Sequence, residues 1–217
     1  MTKACIFDLD GTLLNTLTTI SHYVNLTLAE FGYPQISEEC CKLLVGDGAK
    51  LLMERSIREV DGNPADFDRM FEFYNKAYNS DTTYLTTPYN GIPELLAELK
   101  KRGIKTAILS NKPDFATKDV AKAFFGDMIS ITRGATDDVA LKPSPDGIGI
   151  LLDELGLEKE ECIYVGDTSV DMQTGKNAGI FTVGVLWGFR SRAELEESGA
   201  DMIISSPDEI LSALSDE

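Results

Sequence analysis

The chain has 217 residues, 43% of them hydrophobic, which allows one large domain or a domain carrying an insert. Acidic residues outnumber basic ones 36 to 20, a formal charge of -16. That balance argues against nucleic acid or an anionic membrane as partner, and an anionic ligand would need local positive charge or a bound cation. Cys5, Cys40, Cys41 and Cys162 lack metal-ligand spacing and read as reduced thiols. No apolar run approaches the roughly 18 residues of a membrane span. With a strand expected directly after Lys3 and no signal peptide, the expectation is a soluble cytoplasmic protein.

In chain order, the apolar run Ala4 to Phe7 reads as a buried strand. Asn15 or Thr16 can cap a helix to about Phe31, closed by Gly32 and Pro34. Residues 35–80 give three helical patterns, about 37–45, 48–60 and 64–79, punctuated by Gly46-Asp47-Gly48 and Gly62-Asn63-Pro64. From Pro88 strands and helices alternate: a helix over 91–102, a strand over Ile104 to Leu109, and a helix after Pro113. Further strands are predicted near Met128–Thr132, Cys162–Val165, Ile180–Val185 and Met202–Ile204. Helices near 144–155 and 168–178 separate them, and a last one starts at Pro207. This alternation implies an α/β fold, a Rossmann-like parallel sheet with helices on both faces. The all-helical block reads as an inserted subdomain, residues 15–81, with residues 1–14 and 82–217 forming the core.

The first strand ends in Asp8-Leu9-Asp10-Gly11-Thr12. In extended backbone residues i and i+2 share a side, so Asp8 and Asp10 converge, and Gly11 allows a sharp turn behind them. Two close anions repel unless a metal sits between them or one keeps its proton. Ligands of open parallel sheets bind beyond the carboxyl ends of the strands. Ser110-Asn111, Lys142 and Gly166-Asp167-Thr168-Ser169-Val170-Asp171 follow predicted strands in the same way. Each alone could be a helix cap or a surface group. Together they make one rim with four carboxylates, a hydroxyl and a lysine, a hard-oxygen set suited to Mg²⁺. On that rim Asp8 can attack phosphorus, and Asp10 can give and take the proton. His22, the only histidine, lies in the first helix without a nucleophile motif around it, and no phosphate-binding glycine loop is present.

These pieces resemble the four motifs of the haloacid dehalogenase superfamily in its phosphatase branch, over nearly the whole chain. The resemblance implies Asp8 as nucleophile and Asp10 as acid/base. It implies Mg²⁺ held by Asp8, Asp167 and the Asp10 carbonyl, with Asp171 positioning Asp167 or a metal-bound water. Ser110, Asn111 and Lys142 become the phosphate cradle, and Thr12 a further substrate contact. The helical insert resembles a cap whose Gly46-Asp47-Gly48 loop and Lys50 reach the substrate. Members that cleave carbon–halogen bonds lack a carboxylate at the Asp10 position, so Asp10 implies phosphoryl-ester turnover.

Val45-Gly46-Asp47-Gly48-Ala49 and the stretch Trp187 to Leu195 are similar to bacterial phosphoglycolate phosphatases. This implies a small phosphorylated metabolite, 2-phosphoglycolate first, with Lys50, Arg55 or Arg190 receiving its carboxylate. Pyrophosphatase, nucleotidase, sugar phosphomutase and phosphonate hydrolase activities share these motifs. A phosphate- or metal-binding module without turnover is the alternative from another class. Monomer and homodimer are both compatible with the pattern.

Overall fold

The computed structural model describes residues 1–214. The chain forms two compact units: Met1–Asn15 with Pro88–Glu217, and Thr16–Thr87. In chain order the elements are β1 (Ala4–Phe7), β2 (Leu14–Asn15), α1 (Leu17–Glu30), α2 (Glu38–Leu44), α3 (Ala49–Glu59), α4 (Phe67–Ser80) and β3 (Thr87–Pro88). They continue as α5 (Ile92–Lys101), β4 (Lys105–Pro113), α6 (Asp114–Phe125), β5 (Ile131–Ala135), α7 (Asp146–Leu155) and β6 (Cys162–Gly166). Last come α8 (Ser169–Ala178), β7 (Phe181–Val185), α9 (Arg192–Glu197), β8 (Met202–Ile204) and α10 (Ile210–Ala213).

Six strands form one parallel sheet in the order β5-β4-β1-β6-β7-β8. β1 is central, with Ala4 to Phe7 paired to Lys105–Ile108 on one side and to Cys162–Val165 on the other. Side-chain alternation then divides the core. Cys5, Phe7, Ile108, Ile163 and Val165 lie with Leu95, Leu96 and Leu99 of α5 and Val120 of α6. Ala4, Ile6, Ala107, Leu109, Cys162 and Tyr164 face Ile148, Leu151 and Leu155 of α7. A sheet covered on both faces explains why β1 and β6 are apolar throughout rather than alternating. The chain builds β4 and β5 on one side of β1 and then β6 to β8 on the other. The carboxyl ends of β1, β4 and β6 therefore flank the point where the winding reverses.

In the helical unit α1 packs on α2 and α4, and α3 on α4. Tyr23 meets the Tyr78 ring edge-on at 5.3 Å, and Tyr74 stacks on Tyr78. His22 sits against the rings of Tyr23 and Tyr84, an aromatic setting. Thr16 occupies the N-cap position of α1, but its buried hydroxyl makes no capping bond, contrary to the expected cap. Among the described residues no helix is long and apolar enough to cross a membrane.

Three elements differ from the expectations. β4 runs on through Ser110, Asn111 and Lys112 to Pro113, by way of a register shift against β5. Bulges of this kind let a strand carry polar residues past its regular ladder. β5 starts at Ile131, because Gly126–Met128 forms a 3-10 turn and pairing begins only at Ala107 with Ile131. Helix α9 was not expected; Ser191 caps it by accepting the Glu194 N–H at 3.3 Å.

α8 lies close against β7 at Gly175, where a Cβ would collide with the Thr182 hydroxyl. Alanine is the better helix former by roughly 1 kcal/mol, yet overpacking costs about 1–3 kcal/mol. Gly175→Ala should therefore lower the urea midpoint with m unchanged. A raised midpoint would contradict this close packing.

Candidate active site

Asp8 follows β1 directly, its N–H bonded to the Val165 carbonyl at 2.8 Å, which carries it one residue past the end of the strand. The turn behind it closes through the Leu13 and Leu14 N–H groups on the Leu9 carbonyl, both at 3.0 Å. Gly11 has φ +93°, and a Cβ there would strike the Asp167 carboxylate. Glycine is thus required twice over, for conformation and for space. Gly188 approaches Asp167 as closely from the loop after β7.

Asp8, Asp167 and Asp171 are buried, and each offers a carboxylate oxygen within 4.8 Å of the others. Lys142 Nζ lies 2.7 Å from Asp8 Oδ1 and 2.7 Å from Asp171 Oδ1, so one ammonium group bridges two of the three. Asp171 is saturated further. Its Oδ1 also accepts from the Tyr164 hydroxyl at 2.8 Å, and its Oδ2 accepts from the Thr168 N–H at 3.1 Å and hydroxyl at 2.7 Å. Thr168 and Asp171 form a reciprocal capping box at the start of α8. Asp167 accepts from Thr12 Oγ1 at 3.0 Å and from the Phe189 N–H at 2.8 Å.

The charges respond accordingly. Burial lifts the Asp8 carboxyl from 3.8 to about 7; Lys142 opposes this, while Asp171 and Asp10 add to it. Burial, then Asp171 and Asp8, push Asp167 well above the carboxylate range. Burial also works to raise Asp171, but Lys142 and the hydroxyl donors outweigh it and hold that group below its ordinary value. Burial alone would lower Lys142; the two aspartates raise it well above the usual lysine range. The ammonium group lies equally near Asp8 and Asp171, but Asp171 has further hydroxyl donors of its own, so Asp8 with Asp167 remain a pair of buried acids short of positive charge. That deficit, in a set made only of hard oxygen donors, fits a divalent cation.

The other expected residues fall as follows. Asp10 is outside the carboxylate trio and pairs with Lys112 at 3.1 Å. Ser110 is buried beside Asn111, and its hydroxyl accepts the Lys112 N–H at 3.2 Å. The Asn111 side chain clamps the lysine loop: its Nδ2 donates to the Lys142 carbonyl at 3.2 Å, and its Oδ1 accepts the Lys142 N–H at 2.9 Å. Thr12 gives its hydroxyl to Asp167, and its carbonyl accepts from Trp187 Nε1 at 2.9 Å. In the helical unit, Gly46 and Gly48 flank Asp47, which pairs with Arg55 at 2.6 Å, and Lys50 is exposed at the start of α3. Arg190 pairs with Glu194 at 3.4 Å. Sequence reasoning missed Lys112, Tyr164 and the Phe189 amide. For Lys112 a signal was available, since residues 110 and 112 of an extended strand share a side.

Cation binding to Asp8 and Asp167 competes with protons. A buried acid whose folded pKa is raised costs stability above its unfolded value, so the cation-free protein loses stability as pH climbs from near 4 toward about 7. Saturating Mg²⁺ should raise Tm, with about 2.7 kcal/mol gained at a hundredfold excess over Kd. The rise should be larger at pH 8 than at pH 6, as differential scanning calorimetry can check. An equal rise at both values would detach these carboxylates from the ion.

Residues 5–185 match the family model described as haloacid dehalogenase-like hydrolase. A phosphoglycolate phosphatase of Mannheimia succiniciproducens is 33% identical over 207 residues, 91% of each chain. That of Haemophilus influenzae is 31% identical over 215 residues, 96% of each. A solved structure from Lactobacillus delbrueckii subsp. bulgaricus, a protein proposed to be a phosphoglycolate phosphatase, is 27% identical. It superposes with a TM-score of 0.95 over all of both chains. This chain belongs to the haloacid dehalogenase-like hydrolases.

Proposed function

We propose that the chain is a Mg²⁺-dependent phosphomonoester hydrolase working through an aspartyl phosphate on Asp8, with 2-phosphoglycolate as its substrate. The observation that carries this reading is the unequal sharing of two lysines among four carboxylates. Lys142 is bound to Asp8 and Asp171, Lys112 to Asp10, and Asp167 is held by one hydroxyl and one amide. The names of the relatives favour the substrate, and the separate lysine partners of Asp8 and Asp10 suit separate roles for the two carboxylates.

Asp8, Asp167 and the Asp10 carbonyl would hold the ion, with Asp171 the remaining carboxylate of the cluster. Bound there, Mg²⁺ supplies positive charge against the phosphate oxygens. An Asp8 oxygen forms a bond to phosphorus as the bond to the ester oxygen breaks, and Asp10 gives its proton to that oxygen. Water then attacks the acyl phosphate and loses a proton to Asp10. Phosphate leaves and Asp8 is restored. Lys142 neutralises the transferred group, Ser110 Oγ and the backbone beside it accompany it, and Asn111 keeps the lysine loop in place. Choice among esters is left to the helical unit, through Gly46, Asp47, Gly48 and Lys50. The site suits a small phosphorylated metabolite rather than nucleic acid or a membrane surface, in keeping with the strongly acidic chain. The free cysteines suit a cytoplasmic setting.

Beryllium fluoride with Mg²⁺ should label the wild type at Asp8 and leave Asp8→Asn unlabelled, as read by fluorine NMR. Persistent labelling of the variant would overturn the nucleophile. Asp10→Asn should slow release of phosphate by about 10²–10⁴-fold while Mg²⁺ binding persists. A phosphate-release screen should rank 2-phosphoglycolate first by kcat/KM. Another ester ahead of it would replace the substrate and leave the chemistry standing.

A further inference from the structure

Lys112 is the second ammonium group at the carboxyl ends of the strands, and none of the roles above depends on its contacting a phosphate. Its Nζ lies 3.1 Å from Asp10 Oδ1 and 3.3 Å from Oδ2, so both oxygens are engaged at once. The lysine side chain is 5% exposed and that of Asp10 16%, so solvent and salt screen the pair far less than a surface bridge.

The two partners stand on different supports. Asp10 sits on the turn after β1, joined to Leu14 by an isolated bridge. Lys112 sits in β4, next to the central strand. Its N–H is held by Ser110 Oγ at 3.2 Å and its carbonyl by Thr117 Oγ1 at 3.1 Å. Gly134 of β5 comes so near that a Cβ there would be 2.6 Å from the same carbonyl. The lysine backbone is therefore held from three directions, and burial of the side chain restricts the flexible four-carbon stem that reaches the carboxylate.

We propose that Lys112 is a positioning residue for Asp10. It holds the carboxylate in the orientation from which a proton passes to the departing ester oxygen. This rests on the reading of Asp10 as the acid/base given above. A departing alkoxide requires that proton, whereas nitrophenolate leaves without it. The effect of losing the lysine must then depend on the leaving group.

The test compares kcat/KM for ethyl phosphate, 2-phosphoglycolate and p-nitrophenyl phosphate in wild type, Lys112→Met, Lys112→Arg, Asp10→Asn and the Lys112→Met/Asp10→Asn double variant. This ratio covers steps only through phosphoryl transfer, so attack by water does not enter it. Lys112→Met should lose about 10- to 100-fold on both alkyl esters and no more than about threefold on p-nitrophenyl phosphate, a part of the usual acid–base contribution. Lys112→Arg should recover part of the alkyl activity. In the Asp10→Asn background Lys112→Met should have no further effect, because residues acting as one unit are not additive.

Equal losses on all three esters would overturn the proposal in favour of a structural role. A loss confined to 2-phosphoglycolate would overturn it in favour of direct recognition of the substrate carboxylate. Additive losses with Asp10→Asn would separate the two residues and overturn it as well. Should Lys112→Met fail to fold by calorimetry, Lys112→Arg carries the same comparison, with a smaller shift in the alkyl-to-aryl ratio expected and an unchanged ratio refuting it. A wild type that cleaves none of the three esters would remove the proposed function itself, and this role with it, an outcome distinct from each of the others.

Discussion

One buried ammonium group shared by two buried carboxylates organises this site. Lys142 lies 2.7 Å from both Asp8 and Asp171, with all three side chains nearly or fully shielded from water. Burying such charges costs several kcal/mol for each ion, and contact alone repays it only where the remaining lone pairs find donors. Asp171 meets that condition through Tyr164 and Thr168, whereas Asp8 does not meet it to the same degree. The asymmetry makes Asp171 an anchor and leaves Asp8 with fewer partners, in keeping with the nucleophilic role proposed for it. A lysine fixed by its more fully hydrogen-bonded partner can lend charge to the other without being captured by it.

Stability for this arrangement comes from the sheet. Each fully buried aliphatic or aromatic side chain contributes about 1.5–3 kcal/mol. β1 alone buries Ala4, Cys5, Ile6 and Phe7, with apolar partners on both faces. The central position of β1 has a second consequence. Its carboxyl end is flanked by those of β4 and β6, so the turns after β1 and β6, the end of β4 and the loop after β5 bring together acids and lysines far apart in sequence. Close packing of those loops then demands residues without side chains. Gly11 and Gly188 leave the space that the Asp167 carboxylate fills, and Gly166 does the same for Asp171. The glycines are thus part of the electrostatics, since any Cβ there would displace a charge.

Much of this was legible in the chain itself, for a physical reason. Short apolar runs and strand–helix succession are local, and they point to the parallel sheet and to the carboxylates that end its strands. Asp8 and Asp167 could be anticipated because each follows an apolar strand at the same relative place, with Asp171 one helical turn on and Lys142 in a loop after a strand. What escaped depends on pairings between distant residues. Asn111 was expected as a phosphate contact, and the fold adds that its side chain also reaches across 31 residues to hold the backbone of Lys142. Tyr164 reads as one more core residue of an apolar strand, and only the fold reveals the hydroxyl on Asp171. Lys112 was missed because the strand was expected to end at Leu109, whereas β4 runs on through a register shift to Pro113. Helix α9 is too short for a clear apolar period, and its start rests on a single serine cap.

The division of labour between the two lysines bears on how a strongly acidic protein can handle a phosphate ester. With net charge -16, the long-range field repels such a ligand. Local charge must reverse that field within the few ångströms where chemistry occurs, and two ammonium groups among four acids do not suffice. In the mechanism proposed above, a divalent ion held by Asp8 and Asp167 would make up the difference and tie binding of the cation to binding of the ester. Burial raises the Asp8 carboxyl to about 7, so in the proposed mechanism the ion that draws in the ester would also favour the ionised carboxylate that attacks it.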